Sequence, residues 1–176
     1  MSGLERVNEL SPEEARAELL RCCAVERWAR RVVDGRPYDS VEELRQAADE
    51  AWRDLGEDDW RQAIDHHPRI GEGPDGNRFH GTREWSREEQ SGLATASEET
   101  RDRLAIAQQA YEEKFGYIFL ICATGKSGDE IAIALEARLG NSPDTELAVA
   151  AEELRKITIL RLEKLLVDEP DHDPRT

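Results

Sequence analysis

A chain of 176 residues with 38% hydrophobic side chains is long enough for one domain whose apolar core needs neither disulfides nor metal. Its formal net charge of -15 repels phosphate backbones and anionic lipid, which excludes nucleic acid and membrane surfaces as general partners. An anionic substrate would need a local patch of positive groups against this field. No apolar run approaches membrane-spanning length.

Helix signals dominate in chain order. Ser11 with Pro12 and Glu14 reads as a capping box opening a helix over 12–33: the serine oxygen accepts from a first-turn amide, the glutamate reaches back, and proline is tolerated. Cys22 and Cys23 are adjacent and poorly placed to bridge each other, and with Cys122 they form no C-x-x-C pair. A reducing compartment follows. Ser40 with Glu43 opens a helix over 41–55, stopped by Gly56, and another covers 58–66. Residues 68–85, rich in Gly and Pro, are expected to form a long loop, a feature often functional in a compact domain. Ser86 with Glu89 gives a third box before a helix over 87–95, and a helix over 98–115 stops at Gly116. Residues 117–123 are a short apolar run favouring extended structure. Without a partner strand, the expectation is an extended segment through the core with main-chain amides left for another ligand. Ser127 with Glu130 opens a helix over 128–139 ahead of Gly140, and Pro143 begins one over 143–167.

The sum is an all-α, single-domain bundle of about seven to nine helices over 1–167, with one short extended core segment and a frayed tail over 168–176. The segment Met1 to Asn8 lacks a basic region followed by an apolar stretch, and Pro174-Arg175-Thr176 is no peroxisomal address, so the cytoplasm is expected.

Three motif matches fail on context. Gly71-Glu-Gly73-Pro-Asp-Gly76 fits G-x-G-x-x-G, but a dinucleotide fingerprint needs a strand before it and a helix behind it. Gly125-Lys126-Ser127 resembles the end of a phosphate-binding loop, yet Leu120 stands where its first glycine belongs. His66, His67, His80 and Glu72 invite a metal, but adjacent histidines on a helix point about 100° apart, so no metal site is expected.

Three side chains have a chemical reading beside a structural one. His67 precedes Pro68, which biases it out of the helical region and presents the imidazole at a chain reversal facing the Gly-rich loop. A helix C-terminus favours the protonated ring, suiting a general acid; the alternative is a capping histidine. Glu89 is either the back-reaching member of its capping box or a carboxylate placed to meet a ligand at a helix start. Arg161 shares a helical face with Leu147, Ala151, Leu154, Thr158 and Leu165; its charge there needs a partner unless it snorkels out.

Four stretches, taken together and in order, resemble the 2-oxo-4-hydroxy-4-carboxy-5-ureidoimidazoline (OHCU) decarboxylases: His67-Pro68-Arg69-Ile70-Gly71-Glu72, Trp85-Ser86-Arg87-Glu88-Glu89-Gln90-Ser91-Gly92, Phe115 through Ala123, and Glu152 through Leu162. The resemblance runs from about Leu10 to Leu166. It implies an all-α, homodimeric enzyme of urate degradation with no metal or organic cofactor, acting on a small anionic ureidoimidazoline to give (S)-allantoin. It further implies catalytic roles for His67, Glu89 and Arg161, with substrate contacts at Pro68, Ser86 and Gln90 and along Phe119, Leu120, Ile121, Cys122 and Ala123. Arg69 is a second candidate for local positive charge. Two other classes are compatible with the residues alone: a metal-dependent hydrolase of a ureide, and a non-catalytic helical interaction module.

Overall fold

Nine α-helices and one short 3-10 turn form the regular structure of the described residues, with no strand among them, so the fold is all-α. The computed structural model describes residues 1–72 and 83–167. Residues 73–82 of the expected loop, with His80 and the second half of the glycine motif, lie outside the described residues, as does the predicted frayed tail. The chain divides into two compact units, Met1–Leu55 with the chain from Thr158, and Gly56–Ile157.

In the first unit, α1 (Gly3–Glu9), α2 (Pro12–Cys22), α3 (Glu26–Asp34) and α4 (Val41–Arg53) share a core with the end of the last helix. Leu19, Trp28, Leu44, Leu162 and Leu165 are buried there, each leucine contributing about 1.5–3 kcal/mol relative to exposure. The Trp28 indole N–H, which would be costly unpaired, donates to the Ala48 carbonyl at 3.0 Å. α1 approaches the last helix backbone to backbone: a Cβ on Gly3 would lie 1.7 Å from the Leu166 oxygen, and Arg6 Nη2 donates to the Leu165 carbonyl at 2.6 Å.

Two expectations for this unit are corrected. The helix over 12–33 is two helices, broken where Cys23 and Val25 turn extended (φ -143° and -116°). Cys22, Cys23 and Val25 are all buried, and a helix could not turn all three positions to one core face. α1 was not anticipated, although Ser2 and Glu5 form a full capping box of the same kind as Ser11 and Glu14.

The second unit contains α5 (Glu57–Ile64), α6 (Arg83–Glu89), the 3-10 turn Ser91–Leu93, α7 (Glu98–Phe115), α8 (Gly128–Arg138) and the start of α9 (Pro143–Val167). α7 packs on α8, and α7 ends as expected on Gly116, whose φ of 80° is the left-handed conformation glycine favours. Gly56 instead caps the start of α5, and Gly140 has no positive φ. Residues 117–123 belong to no helix or strand, and Phe119, Leu120, Ile121 and Ala123 are buried. The rings of Tyr111 and Phe119 meet edge-on at 5.3 Å.

Beside this cluster Glu146, fully buried, accepts from Arg138 Nε at 2.8 Å, from Arg138 Nη2, and from the Tyr111 hydroxyl; its other oxygen accepts from Asn141 Nδ2 at 2.8 Å. Burial pushes the Tyr111 hydroxyl pKa up, and its bond to Glu146 does the same.

Candidate active site

The loop that carries His67 begins where α5 stops. The His66 and His67 amides donate to Ala63 (3.1 Å) and Ile64 (3.0 Å), tightening the chain into turns. Pro68, buried and without an N–H, prevents continuation. The His67 imidazole is half-buried, beyond the helix end rather than in its last turn. His66 is turned back onto its own helix, its Nδ1 2.6 Å from the Gln62 carbonyl. Among the described residues, no three His, Cys, Asp or Glu side chains are grouped to hold a metal.

Three tethers hold the rest of the loop. The Gly71 amide donates to Gln90 Oε1 at 3.0 Å, with Gly71 at φ 83°. Gln108 Nε2 donates to the Ile70 carbonyl at 3.0 Å. Arg69 forks onto Glu112 at 2.6 and 2.8 Å and also reaches Glu72 at 3.1 Å. That fork holds the Glu112 carboxyl below its usual range and commits the Arg69 charge to two carboxylates. Arg69 is therefore occupied, and its candidacy as a source of uncompensated charge does not hold.

Glu89 and Ser86 are both buried, each 8% exposed, and neither belongs to a capping box. Ser86 lies inside α6, which begins at Arg83, and Glu89 ends it. Trp85, Ser86 and Glu89 are the buried positions of this short helix, so burial of Trp85 sets its phase and overrides the local cap signal. The same helix end presents Gln90 to Gly71, which brings the His67 loop and the Glu89–Gln90 pair together.

The 119–123 segment meets the other elements in two ways. Burial pushes the Cys122 thiol pKa up, and the carboxylates of Glu153 and Glu89 add to the rise, so Glu89 acts electrostatically on this segment. Gly92, just past Glu89, packs against the turn that follows: a Cβ there would lie 1.9 Å from the Lys126 carbonyl oxygen. Gly92→Ala is accordingly expected to destabilise the protein by about 1–3 kcal/mol, measured by urea denaturation, because backbone must move.

Two cavities flank these pieces. One of about 540 Å³ lies behind the loop, lined by Arg69, Ile70, Gly71, Gln108 and Glu112 among others. The other, of about 390 Å³, is lined by Ile121, Cys122, Lys126, Arg138, Glu153 and Lys156 among others.

Arg161 belongs to the first unit, on the buried stripe of α9 with Thr158 and Leu165. At 5% exposure it does not snorkel, and its Nη1 donates to the Arg21 carbonyl at 3.5 Å. Its charge opposes the effect of burial, which pushes the Cys22 thiol up. Three polar residues beside the segment went unread in the sequence: Arg138, Glu146 and Glu153. The signal used for Arg161 would have found Arg138, which shares a buried face with Ile131 and Leu135.

Comparisons with known proteins bear on the family and the fold. A family model described as OHCU decarboxylase matches residues 8–163. The 2-oxo-4-hydroxy-4-carboxy-5-ureidoimidazoline decarboxylase of Amia calva is 32% identical over 167 residues, covering 93% of this chain and 94% of its own. The uric acid degradation bifunctional protein TTL of Arabidopsis thaliana is 36% identical over 148 residues, 84% of this chain but only 46% of its own length. The chain likewise spans 32% of the bifunctional protein of Bacillus sp. (strain TB-90). A crystal structure of OHCU decarboxylase in the presence of (S)-allantoin superposes with a TM-score of 0.74 at 35% identity, covering 86% of this chain and 98% of that one. With a family model spanning nearly all of the described residues and the Amia calva decarboxylase matched along 94% of its length, this chain belongs to the OHCU decarboxylase family.

Proposed function

We propose that the chain decarboxylates 2-oxo-4-hydroxy-4-carboxy-5-ureidoimidazoline to (S)-allantoin in urate degradation, without metal or organic cofactor. The observation that carries the reading is the Gly71–Gln90 bond, which ties the loop bearing His67 to the helix end bearing the buried carboxylate of Glu89. The tethered segments carry a half-buried imidazole and a buried carboxylate, the parts of an acid–base pair.

The chemistry asks little else of the protein. The substrate carries carboxylate and hydroxyl on one ring carbon, beside a conjugated C=N. When the C–C bond to the carboxylate breaks, its electron pair passes into that system and carbon dioxide leaves, so the ring is its own electron sink. The hydroxyl becomes a carbonyl as its proton is passed on to the ring nitrogen that took up the electron pair, and a second proton is delivered to the neighbouring ring carbon, fixing its configuration. Glu89 is assigned to hold the hydroxyl and accept its proton, and His67 to deliver or relay the other. Gln90, Ser86, Pro68 and the main chain of 119–123 are assigned to orient the ring and ureido group.

For Arg161 the family resemblance, and not the geometry of either unit, carries the assignment of a site arginine. The same resemblance carries the expectation of a homodimer, and the unbridged cysteines carry that of a cytoplasmic location. No helix of the described residues is long and apolar enough to cross a membrane. The reading takes residues 1–167 as one functional domain, since a single family model runs from 8 to 163.

The test generates the ureidoimidazoline in situ and follows its decay and the optical activity of the product. The expected result is faster decay with an optically active product, the single enantiomer (S)-allantoin. Racemic allantoin with an unchanged lifetime of the intermediate would sink the assignment.

A further inference from the structure

The 119–123 segment has two unequal sides. On an extended chain the N–H and C=O of one residue point to one side, and those of the next residue to the other. Arg138 Nη1 donates to the Leu120 carbonyl at 2.8 Å, and the Cys122 amide donates to Glu153 Oε2 at 2.8 Å. Both bonds fall on the even positions, so α8 and α9 take hold of the same side of the segment. Each holder is itself held. Arg138 is locked by the buried Glu146 carboxylate, and Glu153 accepts from Lys156 Nζ at 2.6 Å.

The odd positions differ. Phe119, Ile121 and Ala123 are buried, yet among the described residues no hydrogen bond reaches the main-chain groups of Phe119 or Ile121 or the amide of Ala123. Buried main-chain donors and acceptors are nearly always paired, with protein, water or ligand. The Lys126 amide donates to the Ala123 carbonyl at 3.0 Å, which leaves the peptide groups of Phe119 and Ile121 and the Ala123 amide on one side, opposite the clamp, for a polar planar ligand such as a ureido group.

We infer that Arg138 and Glu153 are positioning residues that clamp Leu120 and Cys122, turning the peptide groups of Phe119 and Ile121 and the amide of Ala123 toward the substrate and leaving the Cys122 amide unavailable to it. This rests on the decarboxylase reading and narrows it from five main-chain contacts to three alternate ones.

The test compares Glu153→Ala with Glu153→Gln. Alanine removes the acceptor but suits mid-helix, so helical circular dichroism is expected to be unchanged; glutamine keeps an oxygen for the Cys122 amide. Two readouts are taken: hydrogen exchange of the Cys122 amide by NMR, and KM and kcat for the ureidoimidazoline. In E153A, Cys122 exchange should quicken and KM should rise about tenfold with a much smaller change in kcat, while E153Q restores both. An unchanged KM in E153A despite faster exchange, or an E153Q enzyme as impaired as E153A, overturns the inference. If the wild-type chain does not act on the ureidoimidazoline at all, the decarboxylase reading falls. The clamp is then judged on exchange alone: faster Cys122 exchange in E153A upholds it, and equal exchange in the two proteins overturns it.

Discussion

Replacement of His67 by alanine is expected to lower the enzymatic decarboxylation rate by about a hundredfold to ten-thousandfold, the span typical for loss of a positioned acid–base group. The fold should be indifferent to the change. His67 is only half-buried and stands outside any helix, in a turn tightened by the main-chain bonds of His66 and His67 and directed by Pro68. Equal helical circular dichroism in the variant and the parent, together with loss of the (S) excess in the product, would assign the defect to chemistry. Retention of both rate and enantiomeric excess would remove the imidazole from the mechanism. The spontaneous reaction gives allantoin of mixed hand, so the stereochemical readout is the more discriminating of the two.

Loss of the Glu146 carboxylate is expected to produce the largest stability defect. In Glu146→Ala the Arg138 guanidinium stays buried, at 9% exposure, but loses the carboxylate it pairs with in the cluster. An uncompensated buried charge of this kind costs about 3–5 kcal/mol. The Tyr111 hydroxyl and Asn141 amide lose their acceptor at the same time. Urea denaturation should report the change as a lower midpoint at similar slope. The contrast is the Arg103–Glu136 pair between α7 and α8, bidentate but substantially exposed, where Glu136→Ala is expected to cost about 1 kcal/mol or less. If the two substitutions prove equally mild, the Arg138–Glu146 cluster is not the anchor its burial indicates. Because Arg138 also holds Leu120, a destabilised Glu146 variant should lose affinity for the substrate before it loses its helices.

Much of the helical framework was legible locally. The spans of α7 and α9 were readable to the residue because their signals lie within a turn of the boundary: Pro143 begins α9 and Gly116 closes α7. The capping boxes at Ser11 and Ser127 are present as read, while at Ser40 the glutamate of the pair bonds the Asp39 amide instead. The turn at His67-Pro68 follows from the missing proline amide, and the unstructured, buried 117–123 run from its apolar composition without a partner strand.

What the sequence determined by itself is the set of events that span three or four residues: where helices begin and end, where proline forces a turn, and which motifs place a histidine and a glutamate in the family's order. Only the tertiary structure decided that the chain breaks at Cys23–Val25, that Ser86 is buried inside a helix rather than capping one, and that Arg69 is already neutralised by Glu112. It alone brought Tyr111, Arg138 and Glu146 into one cluster and set Glu153 on the Cys122 amide. The physical reason is that a cap is satisfied by neighbours along the chain, whatever the fold. A buried charge or an unpaired peptide group is satisfied by whichever residue packing carries to it, here one 31 or 35 positions away.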